Sequence, residues 1–437
     1  MVSNVRWGET VAAVVIGILL GILSIFKGTE VYGLMLTILV YGFFFLFCQY
    51  FLHDVQIRNI LWMAFTLRVL LALINVYIFP LPDSQADAVT FERVGWEFAQ
   101  YWMGEEREVQ WISSAFLYSK FIGLIYYLFD RVPLIPHLLN VILGTLIVYN
   151  IYKIALRVTD DSKTAHLAAF VALFFPTLNL YSAILLRESL IVFLFSLSVL
   201  LFLEWFFKNN YLMLLLSVVP IHLASYLHQG TALILFVYLF VVVFYSPRLK
   251  KIDKFPVAKI LFVSFAIVLY LVFFGTDIFK VFPEISALPQ ALSERLGYTS
   301  RGNAAYLIGL HPDNNLEAIL MTPLRIIYFF FTPFPWMIED AVHLIGFFDA
   351  ILYMVLMYYS LKGLRHIWQR NKMLCIFLVL VLLVFAVVFA WGTSNFGTAA
   401  RHRQKIVWLL IVLAAAGKSK SFLEAMKKRI PRRTENL

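Results

Sequence analysis

Long apolar runs separated by short polar segments recur along almost the whole chain. Three come first, and each is close to the ~20 residues that a helix needs to cross a bilayer. Nine more follow after a polar stretch. The twelve predicted spans are residues 10–26, 31–52, 60–80, 133–157, 166–183, 190–207, 211–227, 232–245, 260–274, 341–361, 374–391 and 406–416. The pattern predicts an all-α polytopic membrane protein with a bundle of about twelve transmembrane helices.

Two further apolar segments, 116–129 and 320–336, are predicted to lie in the outer interface without crossing. If both crossed, the basic loop 248–259 would lie outside, against the preference of Lys and Arg for the cytoplasmic side. If neither crosses, that loop, the basic loop 362–372 and both termini are all cytoplasmic. The second segment also contains prolines that favour a broken helix over a straight span: Pro323, Pro333 and Pro335.

Composition agrees with this class and limits the possible partners. Of 437 residues, 62% are hydrophobic and 14% are charged, and no polar stretch is long enough for a separate soluble domain. We therefore expect one membrane domain, 1–437, with a first outer loop at 81–130 and a large outer loop at 275–340. The tail 418–437 is strongly basic and directly follows a span, which favours a cytoplasmic contact with anionic headgroups over nucleic acid.

Carboxylates first accumulate after the third predicted span. Asp83 and Asp87 are four residues apart, so in a helix they would share one face. An apolar stripe follows, which is typical of a helix lying in the membrane interface: Phe91, Val94, Phe98 and Trp102. Two interpretations stay open, since the aspartates can cap that helix or act as a base at the membrane surface.

This stretch resembles the Asp-Ala-x-x-Tyr-x-x-x-Ala signature of the GT-C glycosyltransferases. Asp87-Ala88 matches its start, whereas Phe91 stands for its tyrosine and Gly95 for its last alanine. The resemblance implies that the aspartate lies in the first extracytoplasmic loop and is the catalytic base. In that superfamily a second acid follows a proline-containing span in the second outer loop, and Glu188, next to Arg187, has this position.

Basic residues on the predicted outer side of the second half form the other candidate group: Arg301, Arg325, Arg401, His402 and Arg403. Arginine matches phosphate geometry with paired donors, so this group can hold a lipid-linked sugar phosphate. Snorkelling to anionic headgroups is the alternative. If the segment around Arg401 and Arg403 is extended, both guanidinium groups share a face and can bind the same diphosphate. If it is helical, they diverge.

The sequence as a whole is interpreted as a GT-C glycosyltransferase of the inner (plasma) membrane, active on the extracytoplasmic face. Its partners would be a polyprenyl-phosphate-linked or polyprenyl-diphosphate-linked glycan and membrane lipids, with no nucleic acid. Asp87 or Asp83 would be the base, Arg187 and the Arg401/Arg403 cluster would hold the phosphate, and Glu188 would position the acceptor or a divalent cation. No metal-ligand spacing is present, and a lipid-linked oligosaccharide flippase or other transporter is the alternative function.

Overall fold

The computed structural model describes residues 16–17, 28–85, 87–105, 109, 116–252, 256–257, 259–261, 264, 287–300 and 302–419. Most of the predicted spans 10–26 and 260–274, the candidate residue Arg301 and the tail from residue 420 lie outside these residues. The chain divides into two compact units. The first comprises the residues up to Tyr152 together with Ala169–Phe193, and the second comprises Lys153–Ala168 and the residues from Leu194 onward.

The described residues are mostly helical. In chain order the helices are α1 (Thr29–Phe51), α2 (Val55–Tyr77), α3 (Asp87–Met103), α4 (Leu117–Phe129), α5 (Leu134–Thr159), α6 (Ser162–Phe174), α7 (Pro176–Ala183), α8 (Glu188–Lys208), α9 (Tyr211–Leu227), α10 (Ile234–Phe244), α11 (Leu288–Thr299), α12 (Asn315–Phe331), α13 (Ala341–Arg370), α14 (Lys372–Trp391) and α15 (Phe396–Lys418). Short 3₁₀ helices lie at Gln229–Leu233 and Pro335–Met337. Two short strands, β1 (Tyr245–Ser246) and β2 (Lys251–Ile252), pair antiparallel in the basic loop.

Six of the described helices are long and apolar enough to cross a membrane: α1, α2, α5, α8, α13 and α14. The pair α6 and α7, which meet at a bend of 56°, adds a seventh if it forms one broken span. The chain is therefore a multi-pass α-helical membrane protein. The predicted spans 211–227 and 232–245 correspond to shorter apolar helices, so the count of twelve stays a prediction.

The two segments predicted to lie in the interface are both helical. Helix α4 has 13 residues and spans only about 20 Å, less than the ~30 Å of a bilayer core. Helix α12 has 17 residues and continues through Pro323. The chain leaves the helix at Thr332, before Pro333, where the backbone becomes extended, and a short 3₁₀ helix follows at Pro335–Met337. The segment is therefore broken, as its prolines predict, but at Pro333 and not at Pro323.

The first unit has an aromatic core between α1 and α2. Phe44 stacks on Phe65 with ring centroids 4.5 Å apart, and Tyr41 packs against the same ring at 5.6 Å. The Tyr41 hydroxyl lies 2.8 Å from the Thr66 hydroxyl, so this buried polar pair is satisfied within the core. Helices α5 and α7 close the core with apolar side chains, including Val141 and Ala183.

Helices α3 and α4 pack side by side in the first unit. Phe91, Val94 and Phe98 of the predicted stripe are buried, and Phe91 meets Tyr118 edge to face at 5.6 Å. The stripe therefore packs against a second short helix. The sequence pattern did not predict this contact. Gly95 lies at the contact between the two helices, where a Cβ would be 2.7 Å from the Ile122 side chain.

The second unit is built on aromatic contacts between α8, α10, α14 and α15. Phe202 stacks on both Tyr238 and Phe377, at 4.1 and 4.7 Å, while Phe195 meets Trp408 edge to face at 5.3 Å. Helices α13 and α15 run parallel: Asp349 faces Arg403 near their starts, and Ser360 donates to the Leu410 carbonyl further along. This parallel pair carries most of the charged residues discussed below.

Candidate functional site

Asp83 lies in a tight turn between α2 and α3 and is half-buried. Its backbone is in the left-handed region, with φ 65°, and the turn is closed by a hydrogen bond from Ser84 N to Leu81 O at 3.1 Å. The Tyr181 hydroxyl donates to Asp83 Oδ2 at 2.8 Å. Tyr181 belongs to α7, so one carboxylate oxygen of the turn is fixed by a residue almost one hundred positions further along the chain.

Asp87 has a different environment from Asp83. It is the first residue of α3 and is exposed to solvent. Because Asp83 lies in the preceding turn, the two carboxylates do not share one helical face, and that expectation is wrong. A carboxylate in the first turn is stabilised by the positive end of the helix dipole, which is the role that the capping interpretation gives Asp87.

Arg187 and Glu188 lie where the chain passes from α7 to α8. Asn140 of α5 holds this passage, since its amide donates to the carbonyls of Ile184 at 2.7 Å and Leu186 at 3.0 Å. The Arg187 guanidinium lies 5.9 Å from the centre of the Phe91 ring, within the range of a cation–π contact. Arg187 is thereby placed over the first turns of α3, next to the Asp87-Ala88 motif.

Glu188 is 6% exposed and begins α8. Its charge acts on Tyr118 of α4: burial raises the pKa of this tyrosine, and the Glu188 carboxylate raises the pKa further. Tyr118, Tyr181 and Asn140 were not among the residues singled out from the sequence. No motif spacing distinguishes these three residues in the sequence.

Arg403 in the second unit is fully buried and bonded within the protein. Its Nε and Nη2 donate to Asp349 Oδ2 at 3.1 and 2.7 Å, and Nη1 donates to the carbonyls of Phe330 and Thr332 at 3.0 and 2.8 Å. The guanidinium also lies 4.9 Å from the Tyr353 ring centre. These bonds join α15 to α13 and to the end of α12, so they account for this arginine as a structural cross-link.

Arg325 of α12 is also fully buried. It donates from Nη1 to Ser394 Oγ at 3.2 Å and from Nη2 to the Leu310 carbonyl at 2.6 Å, and its guanidinium lies 4.5 Å from the Trp391 ring centre. Burial lowers the pKa of Arg325 to about 10, so the side chain stays charged at neutral pH. Arg325 thus fixes two loops to each other.

The same two loops are also joined through their backbones. Tyr306 N donates to Ser394 O at 2.8 Å, and Phe396 N donates to Ala304 O at 2.9 Å. The loop 302–310, which follows Arg301 in the chain, is therefore attached to the start of α15. This places it beside the first turns of the helix that carries Arg401 and His402.

The segment around Arg401 is helical, so Arg401 and Arg403 diverge by about 200° around α15. Two other basic residues near the start of α15, His402 and Lys405, do contact each other, with Lys405 Nζ 2.8 Å from His402 Nδ1. His228, at the end of α9, meets the His402 ring at 5.0 Å between centroids. Arg401 and His402 are half-buried, whereas Lys405 is fully buried.

The comparisons with known proteins add no assignment. No family model, no curated protein and no solved structure matches this chain. Among the described residues, no group of three or more His, Cys, Asp or Glu side chains is placed to hold a metal ion.

Proposed function

We propose that this chain is a GT-C-type membrane glycosyltransferase that acts on the extracytoplasmic face in cell-surface polysaccharide synthesis. It transfers a sugar or oligosaccharide from a polyprenyl-phosphate or polyprenyl-diphosphate carrier to a glycan or lipid-linked acceptor. Nucleotide sugars are absent outside the cell, which favours a lipid-linked donor. The hydrogen bond from Tyr181 to Asp83 is the observation that carries this proposal.

A general base must be held in a fixed orientation near the proton that it accepts. Asp83 meets this requirement, because Tyr181 fixes one of its oxygens and the surrounding turn fixes its backbone. Ser189 in turn donates to the Tyr181 carbonyl at 2.8 Å, which holds the end of α7 against the start of α8. Asp87, exposed at the start of α3, is the second candidate.

In the proposed reaction, Asp83 takes the proton from the acceptor hydroxyl as that oxygen bonds to the anomeric carbon. The bond between the anomeric carbon and the phosphate oxygen breaks, and the lipid phosphate leaves with the electron pair. Arg187 lies in the same unit and supplies paired donors suited to the charge that develops on this leaving group. Glu188, buried beside Tyr118, positions the acceptor.

The test compares Asp83→Asn with Asp87→Asn in purified protein supplied with lipid-linked glycan from its native membrane. Asparagine keeps the size of the side chain but cannot accept a proton. We expect Asp83→Asn to lower release of the lipid phosphate by about a hundredfold or more. Asp87→Asn is the matched control and should change turnover little, since asparagine also suits a helix start. Near-normal turnover for both variants would remove these aspartates from the mechanism.

A lipid-linked oligosaccharide flippase, or another transporter, is the second candidate, and one observation favours it. Arg68 is fully buried in the middle of the predicted span α2, and α6 meets α7 at a 56° bend. Buried charges and interrupted helices mark substrate paths in many transporters. A flippase moves the lipid without breaking the bond from sugar to phosphate, so release of lipid phosphate by the purified protein separates the two functions.

A further inference from the structure

A pair of glycines brings α13 and α15 into direct backbone contact near their C-terminal ends. A Cβ at Gly363 would collide with the Leu413 carbonyl oxygen, and a Cβ at Gly417 would collide with the Tyr359 carbonyl oxygen. His366 adds a contact in the same region, with its Nδ1 3.2 Å from the Ala416 carbonyl oxygen. At this point the two parallel helices are as close as their backbones allow.

Each of these glycines has a lysine as its direct neighbour. Lys362 precedes Gly363, and Lys418 follows Gly417, so both lysines belong to the region of close backbone approach. Both lie near the ring of Tyr359: Lys362 Nζ is 5.4 Å from its centre and Lys418 Nζ is 5.0 Å from it. Lys418 also donates to the Tyr359 hydroxyl at 3.2 Å.

The position of this lysine pair along the helices is that of a membrane surface. Lys362 lies about 21 residues after the start of α13, and Lys418 about 22 residues after the start of α15. At 1.5 Å per residue both are about 32 Å along their helices, slightly more than the ~30 Å thickness of a bilayer core. Helix α13 is long and apolar enough to cross a membrane, so if it starts at one surface it presents Lys362 at the opposite surface. Lys418 lies at the same level, because it contacts Tyr359 of α13.

The aromatic residues around the pair fit the same depth. Tyr358 is 56% exposed, and Lys362 Nζ lies 4.2 Å from its ring centre. Trp368, 45% exposed, has Lys372 Nζ 5.7 Å from its ring centre. Tyrosine and tryptophan at such positions are typical of the headgroup layer, where one side of the ring is apolar and the other is hydrated.

We propose that Lys362, Lys418 and Tyr359 form a binding site for the phosphate of an anionic membrane phospholipid. Both ammonium groups lie within 5.4 Å of the centre of one ring, so a phosphate bound beside that ring would accept hydrogen bonds from both lysines and neutralise their charge. The tail that follows Lys418 continues the positive charge in the sequence, with seven Lys and Arg residues from position 418 onward. The site does not depend on the proposed transferase activity.

The experiment measures binding of cardiolipin to the purified full-length protein by native mass spectrometry in detergent. We expect Lys362→Gln or Lys418→Gln alone to weaken binding about fivefold, and the double variant about thirtyfold, from the usual contribution of a lysine near an anionic surface. Lys250→Gln combined with Lys251→Gln removes the same charge from the other basic loop and should leave cardiolipin affinity within about twofold of the original.

Two further binding measurements identify the source of the phosphate. Phosphatidylcholine, which has a phosphate but no net charge, should bind the original protein and the double variant equally weakly. Inorganic phosphate at the same concentration should not displace cardiolipin. Equal cardiolipin binding by the double variant and its control would overturn the site, and displacement by inorganic phosphate would overturn its assignment to a lipid. Both lysine variants should keep the melting temperature of the original protein, since neither side chain is fully buried.

Discussion

Two fully buried arginines, one in each unit, show how differently the same residue can be accommodated. Arg403 donates four hydrogen bonds, two of them to the buried carboxylate of Asp349. Arg68 donates from Nη1 to the Ala64 carbonyl at 3.0 Å, while its Nε and Nη2 donate to no atom of the described residues. A Cβ at Gly144 would lie 2.8 Å from Arg68 Nε, so the guanidinium is tightly enclosed.

This difference separates an arginine that links helices through hydrogen bonds from one whose hydrogen bonds do not compensate its burial. Breaking a buried ion pair leaves the partner charge uncompensated, whereas removing a buried charge with few partners relieves a desolvation cost. Arg403 therefore belongs to the framework of the second unit. We expect Arg68 to contribute less to the stability of its own unit than Arg403 does, because its guanidinium has fewer hydrogen-bond partners among the described residues.

The largest expected effect is on stability and tests this comparison directly. Arg403→Met leaves Asp349 buried without its partner, and we expect a loss of about 3–5 kcal/mol in the free energy of unfolding. Arg68→Met is the matched substitution in the first unit and should cost less than about 1.5 kcal/mol. Denaturation of both variants in the same detergent gives the comparison. Equal losses would show that the different hydrogen bonding of the two arginines does not determine their contributions to stability.

A rescue experiment separates the lost ion pair from lost packing. Combining Arg403→Met with Asp349→Leu removes both charges and keeps apolar volume between α13 and α15. We expect the double variant to recover most of the lost stability, because paired removal of a buried ion pair is often neutral. A double variant as unstable as Arg403→Met would show that packing around the guanidinium, and not the unpaired carboxylate, determines the cost.

The next effect concerns Arg401, two residues before Arg403 on α15. Arg401 is half-buried and faces about 200° away from the Asp349 pair, so it does not share the cross-link made by Arg403. We predict that Arg401 contacts a lipid phosphate. Arg401→Ala should slow transfer about ten- to a hundredfold without loss of folding. Arg401→Lys should restore part of the rate, since it keeps the charge but not the paired donors. Unchanged turnover in both would leave Arg401 as a headgroup contact.

The hydrophobic pattern predicted the class of this protein and most of its helices. Predicted spans at 31–52, 60–80, 133–157, 190–207, 341–361 and 374–391 each correspond to a helix long and apolar enough to cross. The segment 116–129 was also predicted as a short helix, and α4 has 13 residues. Periodicity and length carry this information, because a bilayer fixes the length of an apolar helix and leaves few alternatives for its backbone.

The candidate site was predicted less well, for a physical reason. The pattern marked Asp83, Arg187 and Arg403 as charged residues at helix ends, but it contained no information on their partners. Tyr181 and Asp349 each lie more than fifty residues from the charge that they contact. Such contacts depend on which helices pack together, and a single sequence with helical periodicity alone does not specify that.

The smallest expected effect tests the contact on which the proposed function depends. Tyr181→Phe removes the hydroxyl that fixes Asp83 Oδ2 and keeps the ring, which is 2% exposed. One net hydrogen bond is worth about 1 kcal/mol, so a freely rotating carboxylate should lower the rate of transfer roughly tenfold or less.

Tyr152→Phe is a close control in the same unit, because the Tyr152 hydroxyl also donates to an aspartate, Asp54 Oδ2, at 3.0 Å. Both substitutions should lower the free energy of unfolding by similar amounts, but only Tyr181→Phe should slow transfer. If transfer slows equally in the two variants, or slows in neither, the Tyr181 hydroxyl acts on stability alone. Asp83 would then need another residue to orient it.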